Sequence, residues 1–312
     1  MTNTVLQASG LTKRYGDLLA ANNLSLEVRE GEVFGFLGPN GAGKTTAINM
    51  MCGLLKPDSG QVTIHGKPIS GSSAEIRSRV GVCPQEIVLW KKMTCLEQLQ
   101  FIGEMYGLKA GVARQRGEQL LERVDLVEKA NVLVKTLSGG MQRRLNLAMA
   151  LVHDPEILIL DEPEAGLDPQ SRVKVRNYIK SLAQRKTIIL TTHNMDEAER
   201  LADRVAIIDH GELLVLDMPD ALKRSVGEGD VLEILLRGDS AQAQNALADI
   251  SHRATFDIAD GRLHVRALDV VNLIPNILEK LAGAGIQFGE VRLRENSLED
   301  VFIQLTRRRL RE

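Results

Sequence analysis

With 312 residues, an apolar fraction of 44% and a charged fraction of 26%, the chain has an ordinary globular composition and room for two domains. A net charge of −2 gives no hint of bulk attraction to nucleic acid, and Cys52, Cys83 and Cys95, without CxxC spacing, argue against a disulfide framework or zinc site. No run reaches the ~18–20 apolar residues that cross a bilayer, and Met1 to Gly10 lacks the basic start and apolar stretch of a signal peptide. Reduced thiols and a cytosolic location are therefore expected, with any membrane role exercised through another chain.

The first elements are two alternating stretches, Thr4 to Ala8 and Leu24 to Val28, which predict an antiparallel β-layer turned at Arg14, Tyr15 and Gly16. Val33 to Leu37 then reads as a buried strand. It runs into Gly38-Pro39-Asn40-Gly41-Ala42-Gly43-Lys44-Thr45-Thr46, and Ala47, Ile48, Met50 and Met51 continue as a helix. Strand, glycine loop and helix are the context that a phosphate-binding P-loop requires. Gly38, Gly41 and Gly43 let backbone N–H groups converge on an anion, and the helix N-terminus adds partial positive charge. Lys44 is expected to reach the β- and γ-phosphates of a nucleotide, and the Thr45 hydroxyl to bind magnesium.

Gly60 to Ile64 and Val80 to Val82 continue as strands, the second ending at Pro84 and Gln85. From Ile87 to Ala150 the period becomes helical. Thr94 and Glu97 form a capping box ahead of Leu96, Leu99, Ile102 and Tyr106, and a later helix is predicted after Ser138, Gly139 and Gly140. Trp90, beside Lys91 and Lys92, reads equally as a docking ring for a membrane chain or as a packed core ring.

Ile157 to Leu160, Thr187 to Thr191 and Val205 to Ile208 are strand-forming runs, so a helical insert interrupts an α/β core. The first of them delivers Asp161 and Glu162 at its C-terminal edge. Alone, such an acidic pair reads as a cap or a turn. Behind a P-loop it reads as a magnesium ligand, Asp161, and a water-polarising base, Glu162. Beyond Leu222, strands at Val231 to Leu236, Ala254 to Ile258, Arg262 to Ala267 and Phe288 to Arg294 flank helices at Ala241 to Ala248 and around Ile274, Ile277, Leu278 and Leu281. That order is βαββαβ, ferredoxin-like, followed by a helix that Ser297 caps. Arg307, Arg308, Arg309 and Arg311 read first as a solvated helix end complementing the dipole and second as a site for an acidic partner or lipid headgroups.

With these in place, LSGGMQ, Leu137 to Gln142, resembles the signature of ATP-binding-cassette (ABC) proteins, and the remaining cassette elements follow in family order over residues 4 to about 222. The resemblance implies that Tyr15 stacks on adenine, that Gln85 in the Q-loop serves nucleotide and metal, that Gly166 to Asp168 form the D-loop and that His193 senses the γ-phosphate. Ser138, Gly139, Gly140 and Gln142 would face ATP held by a second cassette, so the chain is expected to work as a cassette dimer, most simply a homodimer. MQRRLNLAMALVHDPEILILDEPEAGLDPQSR and ENSLEDVF look like the ATPase subunits of type-2 multidrug and antibiotic exporters. Glu164 departs from the Thr or Ser that many cassettes carry there.

The expected fold is thus a P-loop ABC cassette, residues 1–222, with a helical subdomain near 87–150 and a small ferredoxin-like α+β domain over 223–312. The expected function is hydrolysis of ATP, with Mg2+, by a peripheral protein on the cytosolic face of the membrane. Separate transmembrane permease subunits are its expected partners, and nucleic acid is not. A non-transport cassette ATPase acting on ribosome or DNA, and an importer ATPase, are the alternatives.

Overall fold

The computed structural model describes residues 3–69, 78–183, 185–227, 229–237, 240–250, 254–259 and 261–306, in two compact units that divide after Met218. The arginines at 307–309 and 311, expected as a solvated helix end, lie outside the described residues.

In the first unit, β1 (Thr4–Tyr15), β2 (Leu18–Arg29) and β3 (Val33–Leu37) precede α1 (Lys44–Met51). Next come β4 (Ser59–Ile64), β5 (Lys67–Pro68), β6 (Val80–Cys83), α2 (Cys95–Met105), α3 (Ala110–Arg123) and α4 (Gly139–Leu151). The unit closes with β7 (Ile157–Asp161), α5 (Pro169–Leu182), β8 (Thr187–Thr192), α6 (Met195–Leu201), β9 (Arg204–Asp209) and β10 (Glu212–Asp217). One sheet, ordered β2-β1-β4-β5, is the antiparallel layer. The other, ordered β10-β9-β3-β8-β7-β6, is parallel except at its β10 edge.

Alternation along the central strands explains why they read as continuous apolar runs. Phe34, Phe36, Ile157, Ile159 and Ile189 pack in one core with the antiparallel layer and α1. Val33, Leu158, Leu160, Ile188 and Leu190 pack in the other with the helices α2 to α5. Both faces are covered, so no polar alternation survives. The P-loop and the acidic pair consequently emerge at neighbouring C-terminal strand ends, where ligands bind in open α/β sheets.

Three local expectations need correction. The hairpin turn is Gly16 and Asp17, since Tyr15 pairs with Leu18, and Arg14 and Tyr15 belong to the strand. Helix α4 starts at Gly139 with Ser138 as its cap, rather than after Gly140. Strand β10 was not anticipated. It pairs with β9 through His210 and Gly211, both at positive φ, the geometry of a two-residue hairpin turn.

The second unit runs α7 (Pro219–Ser225), β11 (Asp230–Arg237), α8 (Ser240–Ala246), β12 (Thr255–Ala259), β13 (Arg262–Ala267), α9 (Val270–Gly283), β14 (Gln287–Arg294) and α10 (Leu298–Thr306). Its antiparallel sheet, ordered β12-β13-β11-β14, is the ferredoxin-like arrangement. Leu232 and Ile234 of β11 meet Leu263 and Val265 of β13 and the Leu273, Ile277, Leu281 stripe of α9 in one core. That stripe holds α9 together even though Pro275 removes an internal donor. Ser297 accepts from Asp300 N–H while Asp300 accepts from Ser297 N–H, the expected cap closed as a reciprocal pair.

Candidate active site

Gly43 has φ +98°, and a Cβ there would lie 2.1 Å from the Ala20 carbonyl oxygen, so only glycine permits the loop to turn into α1 at this point. Gly38 is equally constrained, 2.4 Å from the Ile208 carbonyl oxygen. Asn40, Gly41 and Thr45 are exposed, Pro39, Gly43 and Thr46 are half-buried, and Ala42 is buried. No side chain caps α1, so its first N–H groups are available to an anion. Lys44 is buried and its Nζ donates to the carbonyls of Gly38 at 2.7 Å and Pro39 at 3.1 Å. Burial pulls its pKa down, against Glu162 and Asp161, which raise it.

At the adjoining strand end, Asp161 and Glu162 are both buried. Thr191 Oγ1 donates to Asp161 Oδ1, and the Glu162 N–H donates to Thr191 Oγ1 at 3.0 Å and to the Thr191 carbonyl at 3.2 Å. Those bonds hold Glu162 at φ +46°, a strained conformation for a glutamate and one found at sites that need a fixed side chain. Its Oε1 accepts from His193 Nδ1 at 2.9 Å and its Oε2 from Gln85 Nε2 at 3.2 Å. Residues separated by 77 and 31 positions in sequence thus bracket one carboxylate.

The signature forms the N-terminal turn of α4. Ser138 caps α4, its Oγ accepting from Met141 N–H at 3.3 Å, and Ser138 and Gly139 are exposed. Gly140 is buried, and a Cβ on it would lie 2.1 Å from Ser171 Oγ, so only glycine lets α5 pack this closely here. Gln142 Nε2 turns back to the Leu137 carbonyl at 3.0 Å. Asp168 caps α5, accepting from Gln170 and Ser171 N–H, both at 3.0 Å. Among the described residues no hydrogen bond joins the 138–142 loop to the P-loop. Tyr15 ends β1, exposed, with Lys13 Nζ 6.0 Å from its ring centroid. Trp90 is 40% exposed and meets Phe101 edge-on at 5.3 Å, so it is not a core ring.

Sequence reasoning missed Arg143. Only 2% exposed, it donates to the carbonyls of Pro84, Gln85, Asp161, Glu162 and Pro163 at 2.6 to 3.0 Å. All five guanidinium N–H groups are used. The signal available in sequence was an arginine two positions before Leu145, where the apolar inner face of α4 begins. Glu164, the departure after Pro163, is buried and paired with Arg176 through two bonds of 2.8 and 2.6 Å, which neutralises its charge. Glu197, also buried, accepts from Thr192 Oγ1 at 2.6 Å; burial above all, and Glu164 and Glu162 after it, push its pKa up to about 7. Cys52, Cys83 and Cys95 are free and buried.

The geometry agrees with what the chain resembles elsewhere. The ABC transporter family profile matches residues 21–165. The chain is 37% identical over 311 residues to the linearmycin resistance ATP-binding protein LnrL of Bacillus subtilis, covering 99% of this chain and 100% of that one. It is 41% identical over 313 residues to the Nod factor export ATP-binding protein I of Ralstonia nicotianae, covering 99% and 95%. The daunorubicin resistance ATP-binding protein DrrA3 of Streptomyces coeruleorubidus is 37% identical over 308 residues, covering 98% and 97%. Among solved structures, an ATP-binding subunit of an ABC transporter superposes with TM-score 0.65 at 27% identity, over 71% of this chain and 93% of that one. A dimeric cassette in a post-hydrolysis state with ADP and Pi superposes with TM-score 0.62 at 27% identity, over 68% and 98%. A P-loop beside a bracketed glutamate, on a cassette fold whose relatives match from end to end, means that the chain belongs to the ABC transporter family, as an ATP-binding and ATP-hydrolysing subunit of the exporter kind.

Proposed function

We propose that the chain works as one of two cassettes that close on two ATP molecules and drive separate membrane-spanning permease subunits from the cytosolic face. The observation that carries this reading is Glu162, held between His193 and Gln85 at the strand end next to the P-loop. Lys44 and the Gly38–Thr46 loop bind the phosphates, and Tyr15 takes the adenine. Thr45, Asp161 and the Gln85 amide oxygen would hold magnesium. That set suits the ion: Gln85 donates through Nε2, which leaves its oxygen for a metal, and one carboxylate, one hydroxyl and one amide leave sites for water and phosphate. Magnesium bound there would offset charge on the phosphates.

Glu162 orients the attacking water and takes its proton, while His193, anchored by Nδ1, presents its other ring edge to the γ-phosphate. The exposed Ser138 end of α4, with Gly139, Gln142 and Asp168 beside it, serves the ATP of a partner cassette. Ile87, Val88 and Trp90 just after Gln85, with Phe101 and Met105, expose apolar surface suited to a permease helix. No helix among the described residues is long and apolar enough to cross a membrane, so the path would lie in the permease.

Purification from the native membrane tests the reading. Recovery with a polytopic membrane chain at two cassettes per complex supports it, whereas recovery with ribosomes, or with no membrane chain, counts against it.

A further inference from the structure

The first unit also contains a cavity of about 330 Å³ that the nucleotide site does not use. It opens between the end of α3, α4 and α5, and each helix contributes a cation to its lining: Arg123, Arg144 and Lys174. The acid in that lining is Asp125, which accepts from Lys174 Nζ at 2.5 Å and lies 3.5 Å from an Arg144 nitrogen. One carboxylate against three cations leaves the cavity electropositive. Arg123 has no ion pair among the described residues, so its charge in particular is uncommitted.

The wall and the mouth differ in a way that suits a ligand. Arg123 and Lys174 are exposed at the mouth, while Arg144 and Tyr178 are buried, 7% and 9% exposed. Two buried polar atoms on these side chains, Arg144 Nε and Tyr178 Oη, have no hydrogen-bond partner among the described residues. Both atoms are themselves covered, and Arg144 Nη1 is already given to the Val124 and Asp125 carbonyls, so the assignment of a ligand rests on the cations around the cavity and a ligand would draw on Arg144 Nε and Tyr178 Oη only as these side chains turn toward it. Burial pushes the Tyr178 hydroxyl up to about 12, against a smaller opposing effect of Arg123, so it remains protonated at neutral pH.

We infer that this cavity binds the phosphate group of a small phosphorylated metabolite, with Arg123 and Lys174 neutralising its charge and Arg144 and Tyr178 donating from the buried wall. A phosphate suits cations arriving from three helices better than a carboxylate does, because it carries more charge and presents acceptor oxygens in several directions. The volume exceeds a bare phosphate and falls at the lower end of small-molecule sites, about 300–1,000 Å³. Asn177, also in the lining, is placed for a hydroxyl of the organic part. Arg144 follows Arg143 on α4, so the cavity shares a helix with the ATP site but none of its proposed ligands.

Calorimetric titration of the full chain, kept in saturating ADP so that the P-loop is filled, tests the assignment with glycerol 3-phosphate as probe and inorganic phosphate and glycerol as comparisons. The expected result is saturable binding of glycerol 3-phosphate at one site, weaker binding of inorganic phosphate and none of glycerol. Arg123→Ala and Lys174→Ala should each weaken binding about tenfold, and Arg123→Lys should restore most of it. Both side chains are exposed, so folding and ADP affinity should be unaltered. Absence of saturable binding overturns the proposal, as does undiminished binding by the Arg123→Ala, Lys174→Ala double variant.

Discussion

Replacing Arg143 with lysine should cost both stability and turnover. The arginine satisfies the buried carbonyls of residues 84, 85, 161, 162 and 163 with five N–H groups, and lysine brings only three donors. Two of those carbonyls would be left unpaired, each at about 1–3 kcal/mol, for a loss of about 2–4 kcal/mol after partial relaxation. In a unit of this size that corresponds to a fall in melting temperature of roughly 5–15 °C, small enough for the fold to survive. The same carbonyls fix the backbone that carries Gln85 and Glu162, so turnover should drop at least about tenfold with little change in ATP affinity. Calorimetric melting and steady-state ATPase assays read both effects. An Arg143→Lys protein that melts within about 2 °C of wild type and hydrolyses ATP at the wild-type rate would refute the idea that this side chain ties α4 to the catalytic loop.

Gly140→Ala should destabilise by about 1–3 kcal/mol, because its Cβ would meet Ser171 Oγ at 2.1 Å and Ser171 Cβ at 2.7 Å. Adding Ser171→Gly should recover most of that loss in urea unfolding; additive losses would mean that the contact is not the cause. Glu197 gives a pH effect of definite sign, facing the Thr192 hydroxyl, Glu164, Glu162 and Arg176. Its folded pKa of about 7 lies above the ordinary 4.5, so its contribution to stability is full below 4.5 and is lost as pH rises through about 7. Glu197→Gln should therefore match wild type near pH 4.5 and exceed it by about 3 kcal/mol at pH 8. Parallel stability curves for the two proteins across this range would exclude the effect.

The parts of the fold and site that were legible in sequence are those whose chemistry is local. A glycine loop between an apolar strand and a helix, an acidic pair at a strand end, the Thr94–Glu97 capping box and the βαββαβ order each lie within a short stretch of chain. What escaped depends on approach through space. Arg143 reads as one more polar residue on a helix until β6 and β7 pair and bring Pro84, Gln85 and Asp161 to Pro163 beneath it. The close approach of α5 to Gly140 does not show in chain order, and Glu164 reads as added negative charge until Arg176, 12 residues on, faces it. Strand β10 escaped for a local reason: His210-Gly211 is a hairpin signal, but the apolar run after it does not alternate.

In the proposed dimer each ATP lies between the P-loop of one chain and the Ser138 end of α4 in another. Nucleotide then favours the dimer by its higher affinity for the closed state, and slowing hydrolysis should trap that state. Sedimentation of the Glu162→Gln protein with saturating ATP and magnesium measures this directly. A mostly monomeric protein should become a dimer, and adding Ser138→Arg should keep it monomeric by placing bulk and charge at the shared face. A double variant that still dimerises with ATP would contradict that arrangement.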